Sequence, residues 1–379
     1  MSPVAAAHPG RLIVDAVRSL SAYVPGRPIS EVQREYGVSD IVKLASNENP
    51  WGPSPRSLAA MRAALDDVWL YPDGSAHALR GELARFLGVQ PECLTLGNGS
   101  NDLLILLAEA TLTPAHNAVY SQYGFAIYQL VIQATGAAAR VAPALPPDSA
   151  MPLGHDLDAM ARLIDAGTRL VFIANPNNPT GTWVDNDALE HFIAGAGSDT
   201  LVVLDEAYFE YAHTHGVADG LRWLARFPNL VVLRTFSKAW GLAGARVGYA
   251  VSHPEVADGL NRLRAAFNVN SIAQAGARAA LQDPAHMHRC VAGTGVELAF
   301  MQQQFAARGL SALPSAANFL LVRAGRRAGS LCDALLRAGV IVRPAAGYGL
   351  GEFLRISAGT REHNLRLFEA LDGHRGTLW

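Results

Sequence analysis

The chain contains 379 residues, half of them hydrophobic, and carries a formal net charge of −2 at pH 7. At roughly 100 to 200 residues per domain, this length predicts two domains that bury a sizeable core. Charges of both signs are scattered and nearly cancel, so the chain lacks the basic field that attracts nucleic acid or an anionic membrane, and we expect small-molecule chemistry.

The N-terminal residues and the cysteines predict a cytoplasmic protein. No basic start is followed by an apolar block, and the longest apolar run, from Leu103, is too short to span a bilayer. Cys93, Cys290 and Cys332 are widely spaced, which argues against a disulfide framework and a structural zinc site. We expect an unprocessed, soluble protein with no metal, membrane or nucleic-acid partner.

Helical and strand-like patterns alternate along most of the chain. Apolar residues recur at three- and four-residue spacing, typical of amphipathic helices, within 57–68, 101–111, 157–166 and 187–196. Short apolar runs typical of buried parallel strands lie at 94–96, 118–121, 169–175, 200–208, 229–237 and 246–252. This alternation predicts a three-layer α/β/α domain with a mostly parallel sheet.

The pattern changes near Ile272. Long helical stretches continue to about Arg308, followed by the strand-like pieces ANFLLV, VIVRP and FLRIS and a last helix from Thr360. We predict a smaller α+β domain over 272–379, a large domain over 47–271, and an N-terminal arm, 1–46, that packs with the small domain.

Polar clusters follow four of the predicted strands. GNGSND begins at Gly97, NPNNPTG at Asn175, DEAY at Asp205 and SK at Ser237. Ligands of open α/β sheets bind outside the carboxyl edge of the strands, so we expect these turns to form one site.

Lys238 is the first candidate for chemistry at this edge. Alone, a lysine at a strand end is more often a snorkelling surface residue than a reactive amine. Ser237 precedes it and Arg246 follows in the same segment, LRTFSKAWGLAGAR. A hydroxyl and a fixed cation suit a phosphate monoester, beside an amine that binds a carbonyl. The set favours an aldehyde that carries a phosphate.

Three residues of the neighbouring turns allow structural and functional roles. Asp205 could cap a turn, or it could pair with the protonated ring nitrogen of a cofactor. Tyr208 could pack, or it could reach an oxygen of the same ring. Asn178 lies in a loop of turn formers, where flanking prolines hold its amide rigidly toward one ligand oxygen.

Ser100 and Asn101 open a predicted helix, where their backbone N–H groups would face a phosphate. Tyr123, shortly after that helix, could stack on a flat cofactor. The chain has neither a Walker A pattern nor a GxGxxG between a strand and a helix, which disfavours a nicotinamide enzyme.

An arginine late in the chain is the candidate for an anionic substrate group. Arg355 lies among apolar residues in FLRIS and requires an anionic partner, and its planar fork suits a carboxylate. Asn318 and Arg343 are weaker candidates, for which a structural role is equally compatible with the sequence.

These motifs together resemble the pyridoxal-phosphate aminotransferases of fold type I, and within them the histidinol-phosphate aminotransferase family most closely. The resemblance covers nearly the whole chain. Its further markers are YVPGRP from Tyr23, KLASNENPWGPSP from Lys43, YPDG from Tyr71, FNVNSIAQ from Phe267, ANFLLV and LRISAGT. It implies pyridoxal 5'-phosphate as cofactor and a homodimer whose active sites are built from both chains.

The resemblance also implies a role for each matching residue. Lys238 would form the internal aldimine and act as general base, and Asp205 would pair with the ring nitrogen. The other implied cofactor contacts are Tyr208 and Asn178 at the ring oxygen, Ser237, Arg246, Ser100 and Asn101 at the phosphate, Tyr123 on the ring, and Tyr71 at the phosphate of the neighbouring subunit's cofactor. The implied substrate contacts are Arg355, with Asn47, Tyr23 and Arg343 nearby.

The implied reaction is a ping-pong transamination from histidinol phosphate to 2-oxoglutarate, which yields imidazole acetol phosphate and glutamate. Histidinol phosphate has no α-carboxylate, so Arg355 would serve its phosphate in one half-reaction and the glutamate carboxylate in the other. Four departures from the family pattern bear on the substrate: Ser75-Ala76-His77 after YPDG, Asp102 after the GNGS turn, Ala266 before FNVN, and Trp240 after SKA.

Three other functions fit the same motifs to different degrees. An aromatic amino-acid aminotransferase shares nearly all of them, and a pyridoxal-dependent decarboxylase of a phosphorylated amino acid is a second alternative. An effector-sensing module of a transcription regulator needs a DNA-binding domain ahead of the fold, and we expect none in the few tens of residues before Leu44.

Overall fold

The computed structural model of the chain describes residues 9–23 and 26–374. Residues 1–8 of the predicted arm, Val24 and Pro25 of the YVPGRP motif, and residues 375–379 lie outside that part. The described strands are β1 Val42–Lys43, β2 Leu94–Gly97, β3 Asn117–Ser121, β4 Ala138–Ala142, β5 Thr168–Ala174, β6 Leu201–Asp205, β7 Leu230–Thr235, β8 Gly248–Ser252, β9 Ser311–Ala312, β10 Phe319–Arg323, β11 Val340–Ile341, β12 Arg343–Pro344 and β13 Phe353–Ser357.

The α-helices of the same residues fill most of the space between the strands. They are α1 Asp15–Arg18, α2 Ile29–Tyr36, α3 Pro55–Ala63, α4 His77–Leu87, α5 Ser100–Thr111, α6 Ala126–Ala134, α7 Leu157–Ala161, α8 Asn186–Gly195, α9 Phe209–Ala212, α10 Pro254–Leu263, α11 Ser271–Leu281, α12 Pro284–Ala307, α13 Ala328–Arg337 and α14 Arg361–Asp372.

The main sheet has seven strands in the order β2-β8-β7-β6-β5-β3-β4. Neighbours from β7 to β4 pair in parallel, whereas β8 runs antiparallel to both β2 and β7. The carboxyl ends of β2, β3, β5, β6 and β7 therefore meet at one edge of the sheet. The predicted mostly parallel sheet is confirmed.

Both faces of the central strands are buried, which explains why they appear in the sequence as continuous apolar runs. In β5, Leu170 and Phe172 pack in the cluster that contains α5 and α6. Val171 and Ile173 point the other way, into the cluster formed with α7 and α8. Because successive side chains of a strand alternate between faces, this period of two places helical layers on both sides of the sheet.

Polar caps set the start of one helix beside this sheet and of the last helix of the chain. The Asp185 side chain accepts from the backbone N–H groups of Asp187 and Ala188 and begins α8. Thr360 and His363 form a capping box that begins α14. Such caps satisfy the backbone donors that have no partner in the first turn of a helix.

A second sheet, in the order β12-β13-β10-β9, is formed late in the chain. All its described pairings are antiparallel, and α12, α13 and α14 cover it with an apolar cluster. The N-terminal residues Val42 and Lys43 pair in parallel with Val340 and Ile341. The packing of the arm with the small domain and the boundaries at 46 and 271 stay predictions.

Two local features differ from the sequence expectation. The edge strand β4 was not predicted, because AARVA is rich in alanine and largely exposed and so lacks the apolar pattern of a buried strand. The helical pattern at 157–166 continues as a helix only to Ala161.

Within the described ranges, no helix is long and apolar enough to cross a membrane, and no group of three or more His, Cys, Asp or Glu side chains could hold a metal ion.

Candidate active site

The carboxyl edge of the main sheet opens into a cavity of about 260 Å³. Its lining comes from the turns after β2, β5, β6 and β7, from the segment after β1, and from β12 and β13. The lining includes every predicted site residue except Tyr71 and Tyr123, namely Tyr23, Asn47, Ser100, Asn101, Asn178, Asp205, Tyr208, Ser237, Lys238, Arg246, Arg343 and Arg355.

Lys238 lies three residues after the end of β7, and its half-buried side chain lines the cavity. Its Nζ donates to the Ser46 carbonyl oxygen at 3.2 Å and lies 5.6 Å from the centre of the Tyr208 ring. Burial, with the nearby Arg355 guanidinium as the next cause, lowers the pKa of the amine from 10.5 to about 8. Such a lysine is a reactive amine rather than a surface cation.

This lowered pKa makes the first testable prediction. At pH 7 about a tenth of the Lys238 amines are neutral, compared with less than about a thousandth for an ordinary lysine. The chain has only two lysines, so in Lys43→Ala protein the one remaining side-chain amine is Lys238. We expect the rate of its modification by trinitrobenzenesulfonate, followed on the peptide that contains Lys238 because the N-terminal amine also reacts, to rise with pH around a midpoint near 8. A midpoint above 10 would contradict the buried environment.

Asp205 ends β6 and faces the same cavity, with only 5% of its surface exposed. Oδ2 accepts from the Tyr128 hydroxyl at 2.9 Å, and Oδ1 accepts from the Ala207 backbone N–H at 3.2 Å. Burial raises the pKa of the carboxyl from 3.8 to about 6, against the effect of these donors. A cationic group in the cavity would therefore stabilise the carboxylate strongly.

Tyr208 and Asn47 form a polar wall of the cavity. The Asn47 side-chain amide donates to the Tyr208 hydroxyl at 2.8 Å, and Ser357 Oγ donates to Asn47 Oδ1 at 2.9 Å. The Asn318 amide donates to the Asn47 carbonyl oxygen at 3.0 Å, so Asn318 supports this wall from behind. The open side of the Tyr208 hydroxyl can contact an oxygen of a ligand in the cavity.

An anion cradle lies at the N-terminus of α5. The Arg246 guanidinium donates to Ser237 Oγ at 3.2 Å and to the Asn98 carbonyl oxygen at 3.3 Å. Gly99 has φ of +82°, and a Cβ there would collide with the Arg246 guanidinium. Glycine at this position avoids the strain of a positive φ and lets the cation lie beside the backbone at the helix start, an arrangement that suits a phosphate.

Arg355 is a buried cation on β13, with 6% of its surface exposed. Its guanidinium donates to Asn178 Oδ1 and, at 2.7 Å, to the Ala45 carbonyl oxygen, whereas Nε has no partner in the part of the chain that the structure describes. Among the described residues no carboxylate forms an ion pair with it. A buried guanidinium held by neutral acceptors calls for an anionic ligand.

Arg343 and Tyr23 lie together at the side of the cavity. The Arg343 guanidinium is 5.8 Å from the centre of the Tyr23 ring, and both residues line the cavity. Glu48 also lines it and forms an ion pair with Lys43 at 2.6 Å.

The two remaining predicted residues lie elsewhere. Tyr71 is 80% exposed and stacks on Phe267, with ring centres 4.3 Å apart. Tyr123 is half-buried against the apolar cluster of Leu153, and the neighbouring Phe125 lines the cavity. The stacking of Tyr123 on a cofactor stays a prediction.

Sequence reasoning missed two residues that contribute to the site. Thr235 lines the cavity, and its hydroxyl donates to Ser237 Oγ at 2.9 Å. Its position two residues before Ser237, at the end of an apolar run, could have identified it in the sequence as a site residue. Tyr128 contacts Asp205 from α6, and nothing in the sequence connects two residues so far apart.

A buried lysine amine, a buried carboxylate and an arginine at a helix N-terminus, together at one edge of this sheet, are the combination expected of an aminotransferase of fold type I. The model of the family "Aminotransferase class I and II" matches residues 39–371. The chain belongs to this family.

Two curated relatives are called histidinol-phosphate aminotransferases. The chain is 48% identical to histidinol-phosphate aminotransferase 1 of Nitrosococcus oceani, over 96% of each protein. It is 52% identical to histidinol-phosphate aminotransferase 2 of Pseudomonas aeruginosa, over 94% of this chain and 95% of that protein.

A solved structure is similar over nearly the whole fold. Histidinol-phosphate aminotransferase from Sinorhizobium meliloti, in complex with pyridoxal-5'-phosphate, superposes with a TM-score of 0.87 at 29% identity, over 97% of this chain and 98% of that one. The resemblance expected from the motifs is confirmed.

The residues of the cavity fit pyridoxal phosphate in three respects. The depressed pKa of Lys238 suits bonding to an aldehyde, and Asp205 is a buried carboxylate in the same cavity that could pair with a protonated pyridine. The Gly99–Arg246 cradle, which a Cβ would fill, suits a phosphate.

Proposed function

We propose that the enzyme transfers the amino group of histidinol phosphate to 2-oxoglutarate, with pyridoxal phosphate as cofactor, in the biosynthesis of histidine. Relatives at 48% and 52% identity, which are called histidinol-phosphate aminotransferases, support this substrate. The observation that carries the proposal is that Lys238 and Asp205 line one cavity, together with the buried Arg355 of β13.

When bound, pyridoxal phosphate supplies an aldehyde that bonds an amine and a ring that draws electrons away from the reacting carbon. Lys238 would hold the aldehyde at rest, and its neutral Nζ would accept the proton that leaves the substrate carbon. Asp205 would hold a proton on the ring nitrogen. Tyr208 and Asn178 would orient the ring oxygen, and Ser237 and Arg246, with the N-terminus of α5, would hold the phosphate.

Arg355 binds the anionic group of each of the two substrates. Its fork bonds the phosphate of histidinol phosphate in one half-reaction and a carboxylate of 2-oxoglutarate in the other, in place of its neutral contacts with Asn178 and Ala45. Arg343, Tyr23 and Asn47 line the same side of the cavity and complete the substrate pocket.

Replacing Arg355 with glutamine tests this shared role. Because charge-assisted hydrogen bonds each contribute about 1.5–3 kcal/mol, we expect kcat/KM to fall by about 100-fold for both substrates. Arg323→Gln is the matched control, since Arg323 is exposed on the adjacent strand and pairs with Glu352 outside the cavity. A loss confined to one substrate would contradict the shared role.

We also propose a cytoplasmic homodimer that shares its active sites, in which Tyr71 reaches the cofactor phosphate of the other subunit. Tyr71 ends an exposed apolar segment whose other members, Leu65, Val68, Trp69 and Leu70, are 49–77% exposed. Several large apolar side chains exposed in one short segment are typical of an interface.

Mixing two inactive variants tests the shared site. We expect Tyr71→Ala and Lys238→Ala proteins, refolded together, to regain activity, because each heterodimer has one site with both wild-type residues. Each variant refolded alone is the control. If the mixture is no more active than the separate variants, the site is not shared.

The substrate assignment is tested by comparing turnover of three amino donors. We expect histidinol phosphate to exceed phenylalanine and tyrosine in kcat/KM and to yield glutamate from 2-oxoglutarate. Faster turnover of an aromatic amino acid would contradict the assignment, as would carbon dioxide release from threonine phosphate in the absence of an amino acceptor.

A further inference from the structure

Tyr128 contacts the Asp205 carboxylate from a helix that supplies no other hydrogen bond to the cavity groups described above. It lies in the first turn of α6, is fully buried, and donates its hydroxyl to Asp205 Oδ2 at 2.9 Å. The Ala207 backbone N–H bonds the other oxygen, Oδ1. The two carboxylate oxygens are therefore held from different sides, which fixes the plane of the carboxylate.

Aromatic packing holds the Tyr128 ring in place. It stacks on Phe172 of β5, with ring centres 4.7 Å apart and planes 5° apart. Tyr120 and Phe125 contact it edge-on, at 6.3 Å and 5.9 Å. A ring confined on three sides has one direction for its hydroxyl, and a hydrogen-bond donor in fixed geometry needs no reorganisation when a ligand binds.

Tyr128 stays a donor at every working pH. Burial and the neighbouring Asp205 carboxylate raise the pKa of its phenol well above 10.0. The other titratable groups around Asp205 are Tyr208 in the following turn and Lys238 after β7. His155, which contacts the carbonyl oxygen of Ala174 beside Asp205 in the sheet, is neutral, because burial lowers its pKa to about 4.

We propose that Tyr128 is a positioning residue that keeps Asp205 ionised and aimed at the ring nitrogen of the cofactor. The inference rests on the proposed cofactor. Without the phenol, the buried carboxylate loses one of its two donors, and its pKa, already raised to about 6, rises further. Near neutral pH, a larger fraction of the Asp205 side chains is then protonated. A protonated carboxyl cannot form an ion pair with the protonated ring nitrogen.

The test measures binding of two cofactor analogues by apoprotein. Tyr128→Phe keeps the stacked ring and removes only the hydroxyl, and Tyr120→Phe is the matched control in the same aromatic cluster. Each protein is titrated by tryptophan fluorescence, between pH 5.5 and 8.5, with pyridoxal phosphate and with 1-deazapyridoxal phosphate, in which carbon replaces the ring nitrogen and no proton can be held there.

We expect Tyr128→Phe to bind pyridoxal phosphate about tenfold more weakly at pH 7, because a hydrogen bond to a charged group is lost. Its affinity should rise with pH around a higher midpoint than that of wild type, since Asp205 must ionise to pair. Binding of the deaza analogue should be unchanged, and Tyr120→Phe should match wild type with both ligands.

Equal binding by Tyr128→Phe and wild type overturns the inference, and so does an equal loss with both analogues, which would indicate a packing role alone. If the phenylalanine variant does not fold, 3-fluorotyrosine incorporated at position 128 keeps the ring and donates more strongly. It should then move the midpoint to lower pH, and an unmoved midpoint overturns the inference. If wild-type apoprotein fails to bind pyridoxal phosphate, the proposed function itself fails.

Discussion

Replacing Lys238 with alanine is expected to lower turnover by at least about 10⁴-fold, because the variant loses both the amine that bonds the aldehyde and the base that moves the proton. The cradle of Ser237 and Arg246 does not depend on this amine, so the variant should still bind pyridoxal phosphate. Steady-state kinetics and equilibrium dialysis measure the two effects separately.

The other lysine of the chain provides the control. Lys43 pairs with Glu48 close to the cavity but does not line it. Lys43→Ala should therefore keep turnover within a few-fold of wild type, since partly exposed ion pairs contribute little. Retained turnover in the Lys238 variant would contradict the assignment of the reacting amine.

Replacing Asp205 with asparagine is the second prediction with a large effect. Loss of one partner of a buried charge pair costs about 3–5 kcal/mol, which corresponds to about 10²–10⁴-fold in rate if the loss falls on the transition state. Asparagine keeps an oxygen that can accept from the Ala207 N–H, so the turn after β6 should survive while the negative charge is lost.

This substitution separates the two roles that the sequence left open for Asp205. If the residue only caps the turn, the asparagine variant should retain near wild-type turnover and a wild-type melting temperature. If it holds the ring proton, turnover falls while the melting temperature of the apoprotein stays equal or rises, because a buried carboxyl with a raised pKa is removed. Asp205→Glu, which keeps the charge, should lose less activity than Asp205→Asn.

The fold was predictable where local pattern and tertiary environment agree. β5, β6 and β7 are buried on both faces, so they appear in the sequence as apolar runs, and the polar residues after them must lie at the carboxyl edge. The edge strand β4 faces solvent along most of its length and therefore lacks that pattern.

The site was predictable as a set of residues but not as a set of contacts. The turns that carry Lys238 and Asp205 can be recognised in the sequence because they directly follow predicted strands. The bonds of Asn47 to Tyr208 and of Arg355 to Asn178 join segments distant in the sequence and depend on how the late β-sheet packs against the main sheet. The spacing of residues in the sequence does not predict contacts between segments so far apart.

The most direct test of the account is borohydride reduction of the protein loaded with pyridoxal phosphate, followed by peptide mapping by mass spectrometry. Two lysines and the N-terminus are the only primary amines of the chain, so only three sites can carry the label. The account predicts one phosphopyridoxyl group per chain, on the peptide that contains Lys238. A label on Lys43 or the N-terminus, or no label on a protein that turns over, would contradict it.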